Sequence, residues 1–193
     1  MIIMRKDLGV LQAVWPMPVL MVAAYGEDGR VSVMNAAWGQ ICAMDKVALF
    51  IDEDHKTTKD IRAKKAFTVA LADVPHMAEA DFFGIATGNT MPDKFERTGL
   101  HQTKSAHVDA PIIEELPLSM ECELLEIVDT EALHCVVGKI VNVSVDERAL
   151  DDQGKVDPTK LDAFAFDQFQ HGYYAMGKKI GQAWDAGKGL MRQ

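Results

Sequence analysis

Short apolar runs with strand-like spacing dominate this chain. Residues 19–25 (VLMVAAY) form an uninterrupted apolar run closed by Gly26-Glu-Asp-Gly29, and a second apolar stretch follows at 31–34. A buried strand, a glycine turn and another strand predict a β-hairpin. Residues 47–51 and 67–71 read as further buried strands. Between them, 57–65 reads as a short helix with Thr57 as its N-cap.

The middle of the chain changes character. Residues 77–87 and 93–98 predict short helices separated by Gly88 and Pro92, and 105–117 reads as an extended loop. Two strong strands follow. Leu118, Met120, Cys122 and Leu124 alternate with Ser119, Glu121 and Glu123, the pattern of a half-buried strand. In 133–145 the odd positions are apolar except Lys139, so that face is expected in the core. Gly138 marks a bulge or a close backbone approach. The tail, 171–192, predicts a loop and a short helix. Many short strands without βαβ alternation predict a mainly-β fold with short helices, a barrel with a helical excursion.

No repeat or Gly/Ser linker divides the 193 residues, so a single domain is expected over 1–193. The net charge of −9 argues against nucleic-acid and anionic-membrane partners, which need a basic surface. The longest apolar run is too short to span a bilayer. The first ten residues carry Arg5, Lys6 and Asp7 and no signal-peptide core. Cys42, Cys122 and Cys135 have neither disulfide-framework nor zinc spacing, which points to a reducing, cytoplasmic compartment.

Two segments can carry chemistry. His55-Lys-Thr-Thr-Lys-Asp60 follows a buried strand and opens the first predicted helix. Four lysines and one arginine stand against one aspartate from Lys56 to Lys65. A helix N-terminus with Thr57 and Thr58 suits a phosphate; a solvated, threonine-capped helix face is the alternative. Asn35-Ala-Ala-Trp38 follows a strand, and its small residues let a flat heterocycle approach the backbone; a turn with a packed Trp is the alternative. No G-x-G-x-x-G or G-x-x-x-x-G-K-[ST] occurs. No metal site is expected from His101 and His107, and His134 reads as a hydrogen-bonded strand histidine.

Taken in order, several segments resemble one family. They are Pro18-Val-x-Met-Val22, Asp28-Gly29, Val33-Met-Asn-Ala-Ala-Trp38, Phe67-Thr-Val-Ala-Leu71, Ala80-Asp-Phe-Phe-Gly84, Asp93-Lys-Phe-Glu-x-Thr-Gly99, Val108-Asp-Ala-Pro111, Glu121-Cys122 and Val137-Gly-Lys-Ile-Val-Asn142. The set is similar to the flavin reductase-like domain family, flavoredoxin-type members above all, over about 18–184. The resemblance implies an FMN-binding split β-barrel that works as a homodimer. Asn35, Ala36, Ala37 and Trp38 would then face the isoalloxazine ring, and His55, Lys56, Thr57 and Thr58 would surround the phosphate. Ala70 would lie beside them, where relatives often carry Asn, and Gly84, Gly88 and Lys94 would close the site. Many relatives carry arginine in place of His55, and Met44-Asp-Lys46 replaces a proline-rich stretch. The implied activity is first an NAD(P)H-dependent flavin reductase passing a hydride through flavin N5. An electron-transfer protein reduced by a redox partner, or an FMN-binding protein without turnover, are the alternatives. A redox protein or an oxygenase is the expected partner.

Overall fold

The computed structural model describes residues 3–192. The chain runs through β1 (Met17–Pro18), β2 (Leu20–Tyr25), β3 (Val31–Ala36), β4 (Gly39–Ala43), β5 (Lys46–Leu49), α1 (Lys56–Lys64) and β6 (Ala66–Leu71). It continues through α2 (Met77–Ile85), β7 (Gln102–Lys104), β8 (Pro111–Ile113), β9 (Leu118–Thr130), β10 (Leu133–Val145), β11 (Phe164–Asp167) and β12 (Gly172–Ala175). Seven strands form one antiparallel sheet in the order β3-β2-β6-β9-β10-β5-β4, which curls into a split barrel. Strands β1, β11 and β12 form a small sheet of their own, and β7 and β8 a two-stranded one.

The apolar run in β2 has a physical reason. Leu20, Val22 and Ala24 enter the barrel interior with Leu49, Ile61, Phe67 and Val69. Met21 and Ala23 point the other way, into a second cluster with Ala80 and Phe83 of α2, Phe95 and Ile113. Both faces of β2 are therefore covered, and a strand buried on both sides reads as continuous hydrophobicity. The β2–β3 hairpin closes as its sequence predicts, with Gly29 at φ +79° and the Gly26 N–H bonded to the Arg30 carbonyl.

Several expectations need correction. His55, not Thr57, occupies the N-cap of α1, and its side chain makes no capping bond. The helix predicted over 93–98 is reduced to a 3-10 turn at Glu96–Thr98. The loop over 105–117 contains β8, paired with β7. The alternation in 118–124 does not leave one face wet. Ser119 and Glu121 are as buried as Cys122, because the segment leading into β8 covers the outer face of β9. Glu121 accepts hydrogen bonds from Ser105 Oγ and from Asn142 Nδ2 (2.6 Å), and Thr68 Oγ1 donates to the Pro111 carbonyl (2.6 Å).

In β10 the odd positions are not the core face. Val136 and Gly138 point inward, while Val141 and Val143 are exposed. Register shifts at Val137/Gly138 and Ile140/Asn142 re-phase the strand against β9, and a strict two-residue period does not survive a bulge. The tail holds β12 as well as a terminal 3-10 turn. Among the described residues no helix is long and apolar enough to cross a membrane.

Candidate functional site

A cleft of about 320 Å³ opens where the C-terminal end of β3, the start of α1 and the excursion after α2 meet. Ten of the twelve residues singled out in the sequence line it. Asn35, Ala36, Ala37 and Trp38 form one wall. His55, Lys56 and Thr57 close one end, with Gly88 and Lys94 beside them, and Gly84 lies against Asn35. Thr58 and Ala70 do not reach it. Thr58 is buried beneath α1 with its hydroxyl unpartnered, and Ala70 packs with Met21 in the cluster beneath α2. Sequence reasoning missed Met34, Phe50 and Phe83 in the lining. Phe50 follows a strand whose residues are otherwise core, and nothing in its local pattern separates it from them.

The cationic end has an uneven charge balance. The first turn of α1 carries no acidic residue and no side-chain cap, so its free N–H groups and positive dipole end are not offset. Thr57 Oγ1 hydrogen-bonds Ser32 Oγ at 2.9 Å. The stem of Lys56 packs against Gly88, where an added Cβ would meet Lys56 Cβ at 3.1 Å. Its ammonium turns away to pair with Asp60.

Lys94 is the less ordinary group. It is 4% exposed, and its ammonium donates to the carbonyls of Ala86 (2.9 Å) and Phe83 (3.4 Å). It also sits 5.7 Å from the centre of the Phe83 ring. Among the described residues no carboxylate pairs with it, and burial pushes its pKa down to about 8. A buried amine with two carbonyl acceptors and a third N–H to spare is suited to an anion in the cleft.

The other end is apolar and open. Trp38 is 49% and Phe50 42% exposed, and backbone joins them, the Phe50 N–H donating to the Trp38 carbonyl at 2.8 Å. Beyond these rings a second groove, about 380 Å³, runs under the N-terminal arm past Val14, Pro16 and Gly39. Gln12 and Gln40 are its polar side chains, and among the described residues no charged side chain lines it. The whole is an elongated slot with cations at one end and ring surfaces at the other. Such a slot fits a flat heterocycle joined through a polar chain to a phosphate, as in FMN.

The remaining candidates lie elsewhere. His134 pairs with Asp129 at 2.6 Å on the β9–β10 hairpin, and His101 pairs with Glu115 at 2.7 Å. Cys122 and Cys135 are buried; burial pushes the Cys122 thiol up to about 12 and raises that of Cys135. Among the described residues no group of His, Cys, Asp and Glu is placed to hold a metal ion.

Comparison with known proteins agrees with this geometry. The fold is similar to the flavoredoxin of Desulfovibrio vulgaris (Miyazaki F), at 33% identity and a TM-score of 0.90, covering 95% of this chain and 100% of that one. It also resembles the flavoredoxin of Methanosarcina acetivorans, at 24% identity and a TM-score of 0.86, covering 97% and 100%. An uncharacterized protein of Aquifex aeolicus is 26% identical over 163 residues, 78% of this chain and 80% of that protein. Residues 13–161 match the flavin reductase like domain, and the chain belongs to that family.

Proposed function

We propose that the cleft holds FMN as a resident cofactor and that the protein is an electron-transfer flavoprotein of the flavoredoxin kind, serving a redox-protein partner. The carrying observation is the charge layout of the slot. Its phosphate end has Lys94 without a carboxylate and an uncapped helix start, whereas among the described residues the groove beyond its ring end has no charged side chain. A nicotinamide dinucleotide stacked on the ring would have to lay its pyrophosphate along that charge-free groove, on a chain of net charge −9. A protein partner needs no cation there, and an acidic surface suits a basic one.

The residues have separate tasks. The first-turn amides of α1, Thr57 and Lys94 would hold the phosphate. Ala36 and Ala37 would let the ring lie against the backbone, and Trp38 and Phe50 would shield its edge from water. FMN supplies the one- or two-electron chemistry when bound. A homodimer belongs to the same proposal. The edge strand β4 and its surroundings expose Ile41, Met44, Trp38 and Phe50, an apolar surface that a second copy would cover.

NAD(P)H-dependent reduction of flavin is the second reading, favoured by the exposure of Trp38 and Phe50 that would admit a nicotinamide. One experiment tests both. The apoprotein is titrated with FMN, and the loaded protein is then mixed anaerobically with NADH, NADPH or a reduced low-potential redox protein while the flavin absorbance is followed. Saturable one-to-one binding, with bleaching by the redox protein and none by the nicotinamides, is expected. Rapid bleaching by NAD(P)H would select the reductase, and failure to bind FMN would end the proposal.

A further inference from the structure

A lysine of the cleft wall directs its charge away from the cleft. Lys56 opens α1 and lines the cleft beside Thr57 and Gly88. Close packing fixes its stem: a Cβ on Gly88 would meet Lys56 Cβ at 3.1 Å and Cγ at 3.2 Å. Its ammonium pairs with Asp60, one turn further along the helix. The same ammonium reaches the base of the β2–β3 turn, where a Cβ on Gly26 would lie 3.3 Å from Lys56 Nζ and 2.7 Å from Asp28 Oδ1. Glycine at 26 leaves the space that these two charged groups occupy.

Asp60 holds the lysine there. The residue is 4% exposed. Its Oδ1 accepts from Lys56 Nζ, and among the described residues its Oδ2 has no partner and no second cation pairs with it. A carboxylate so buried cannot give up its one compensating charge without leaving an uncompensated anion in the interior. That penalty opposes any swing of the ammonium towards a ligand in the cleft. Lys56 therefore lends the cleft its hydrocarbon stem, and the anionic group of a ligand meets Lys94 and the first-turn amides of α1.

We infer that Asp60 is a positioning residue that withholds the Lys56 ammonium from the cleft, so that the site meets the phosphate of its ligand with one ammonium, that of Lys94, instead of two. This rests on the FMN reading of the cleft. It deepens that reading by naming the side chain that limits how much the phosphate adds to binding. By charge count the lysine-rich start of α1 is the obvious phosphate anchor, and the pairing within the helix removes Lys56 from that task.

The test compares FMN with riboflavin, the same ring and chain without the phosphate. In the wild-type protein Lys56 is acetylated with an amine reagent, and the rate is followed by mass spectrometry. FMN and riboflavin, each at saturation, should slow it alike, because the ammonium does not engage the phosphate. Greater protection by FMN would put the ammonium on the phosphate and overturn the inference. Asp60→Asn keeps the shape of the side chain and frees the lysine. This variant should bind FMN about tenfold more tightly, the scale of a charged hydrogen bond, with riboflavin affinity nearly unchanged and with FMN now the better protector of Lys56. Adding Lys56→Met should abolish the gain. A folded Asp60→Asn variant with unchanged or weaker FMN binding would overturn the inference. So would a gain without the phosphate-dependent protection, which would mean that Asp60 acts through its field alone. If the wild type binds neither flavin, the proposed function fails and the inference with it.

Discussion

Replacing Gly138 by alanine probes the packing that shapes the barrel. A methyl group there would lie 2.3 Å from Phe67 Cζ, 2.9 Å from Cε1 and 3.3 Å from Cys122 Cβ. Carbon atoms in contact settle about 3.5–4.0 Å apart, so the ring would have to retreat by more than about 1 Å. Phe67 is fully buried among Val69, Ile61 and Val136 and has nowhere to go without displacing them. Overpacking of this kind costs about 1–3 kcal/mol. Alanine gives back about 0.4–1 kcal/mol by restricting the unfolded chain, since the Gly138 φ lies outside the left-handed region. The net loss is about 1–2 kcal/mol, a fall in melting temperature of about 2–8 °C for a domain of this size. Urea unfolding of the apoprotein measures it. Phe67→Leu supplies the control, because a shorter side chain makes room for the methyl. The double variant should be less destabilised than the sum of the two single ones, by about 0.5 kcal/mol or more. An unchanged or raised stability for Gly138→Ala, or strict additivity in the pair, would refute the steric argument.

Other outcomes follow from the site and its surroundings. Lys94→Met should weaken FMN binding by at least about tenfold, the scale of a charged hydrogen bond, and leave riboflavin binding nearly unchanged; an equal loss for both flavins would mean that Lys94 does not serve the phosphate. Burial holds the Lys94 pKa at about 8, below the roughly 10.4 of an unfolded chain. The unfolded state therefore binds more protons between these values, and apoprotein stability should rise across that window relative to Lys94→Met. FMN affinity should fall over the same range as the ammonium is lost, which a titration series in pH would record. Iodoacetamide should spare Cys122 and Cys135 in the native protein, whose thiols are buried, and label all three cysteines only after denaturation, as mass spectrometry can count. Glu121→Ala removes the acceptor shared by Ser105 and Asn142 and should speed limited proteolysis between residues 105 and 110, without changing flavin affinity.

Much of the fold is legible in the sequence where one physical cause acts alone. The β2–β3 hairpin is fixed by glycines and a run of apolar residues, and its structure follows. Ten of the twelve proposed site residues converge, seven of them because Asn35–Trp38 and His55–Thr57 each sit at a strand or helix end, where turn chemistry and free amides mark them. The misses have a common origin in contacts between distant segments. Ser119 and Glu121 look solvated until the chain leading into β8 is laid over them. The inward face of β10 depends on two bulges that its own composition does not announce. Adjacency in the sequence puts Thr58 beside Thr57, but successive residues of a helix point about 100° apart, and Thr58 turns into the protein instead of the cleft.

The two-sided burial of β2 has a consequence for how the molecule comes apart. A chain with two hydrophobic clusters could melt in two stages, one cluster surviving the other. Here the alternate side chains of a single six-residue strand belong to both. Loosening the layer beneath α2 withdraws support from Met21 and Ala23 and frees the backbone that also carries Val22 and Ala24 into the barrel. β2 acts as a party wall, and neither room stands once it is down. The apoprotein should therefore lose secondary structure and aromatic packing in one coincident transition, and the amides of β2 should exchange with solvent only through global unfolding.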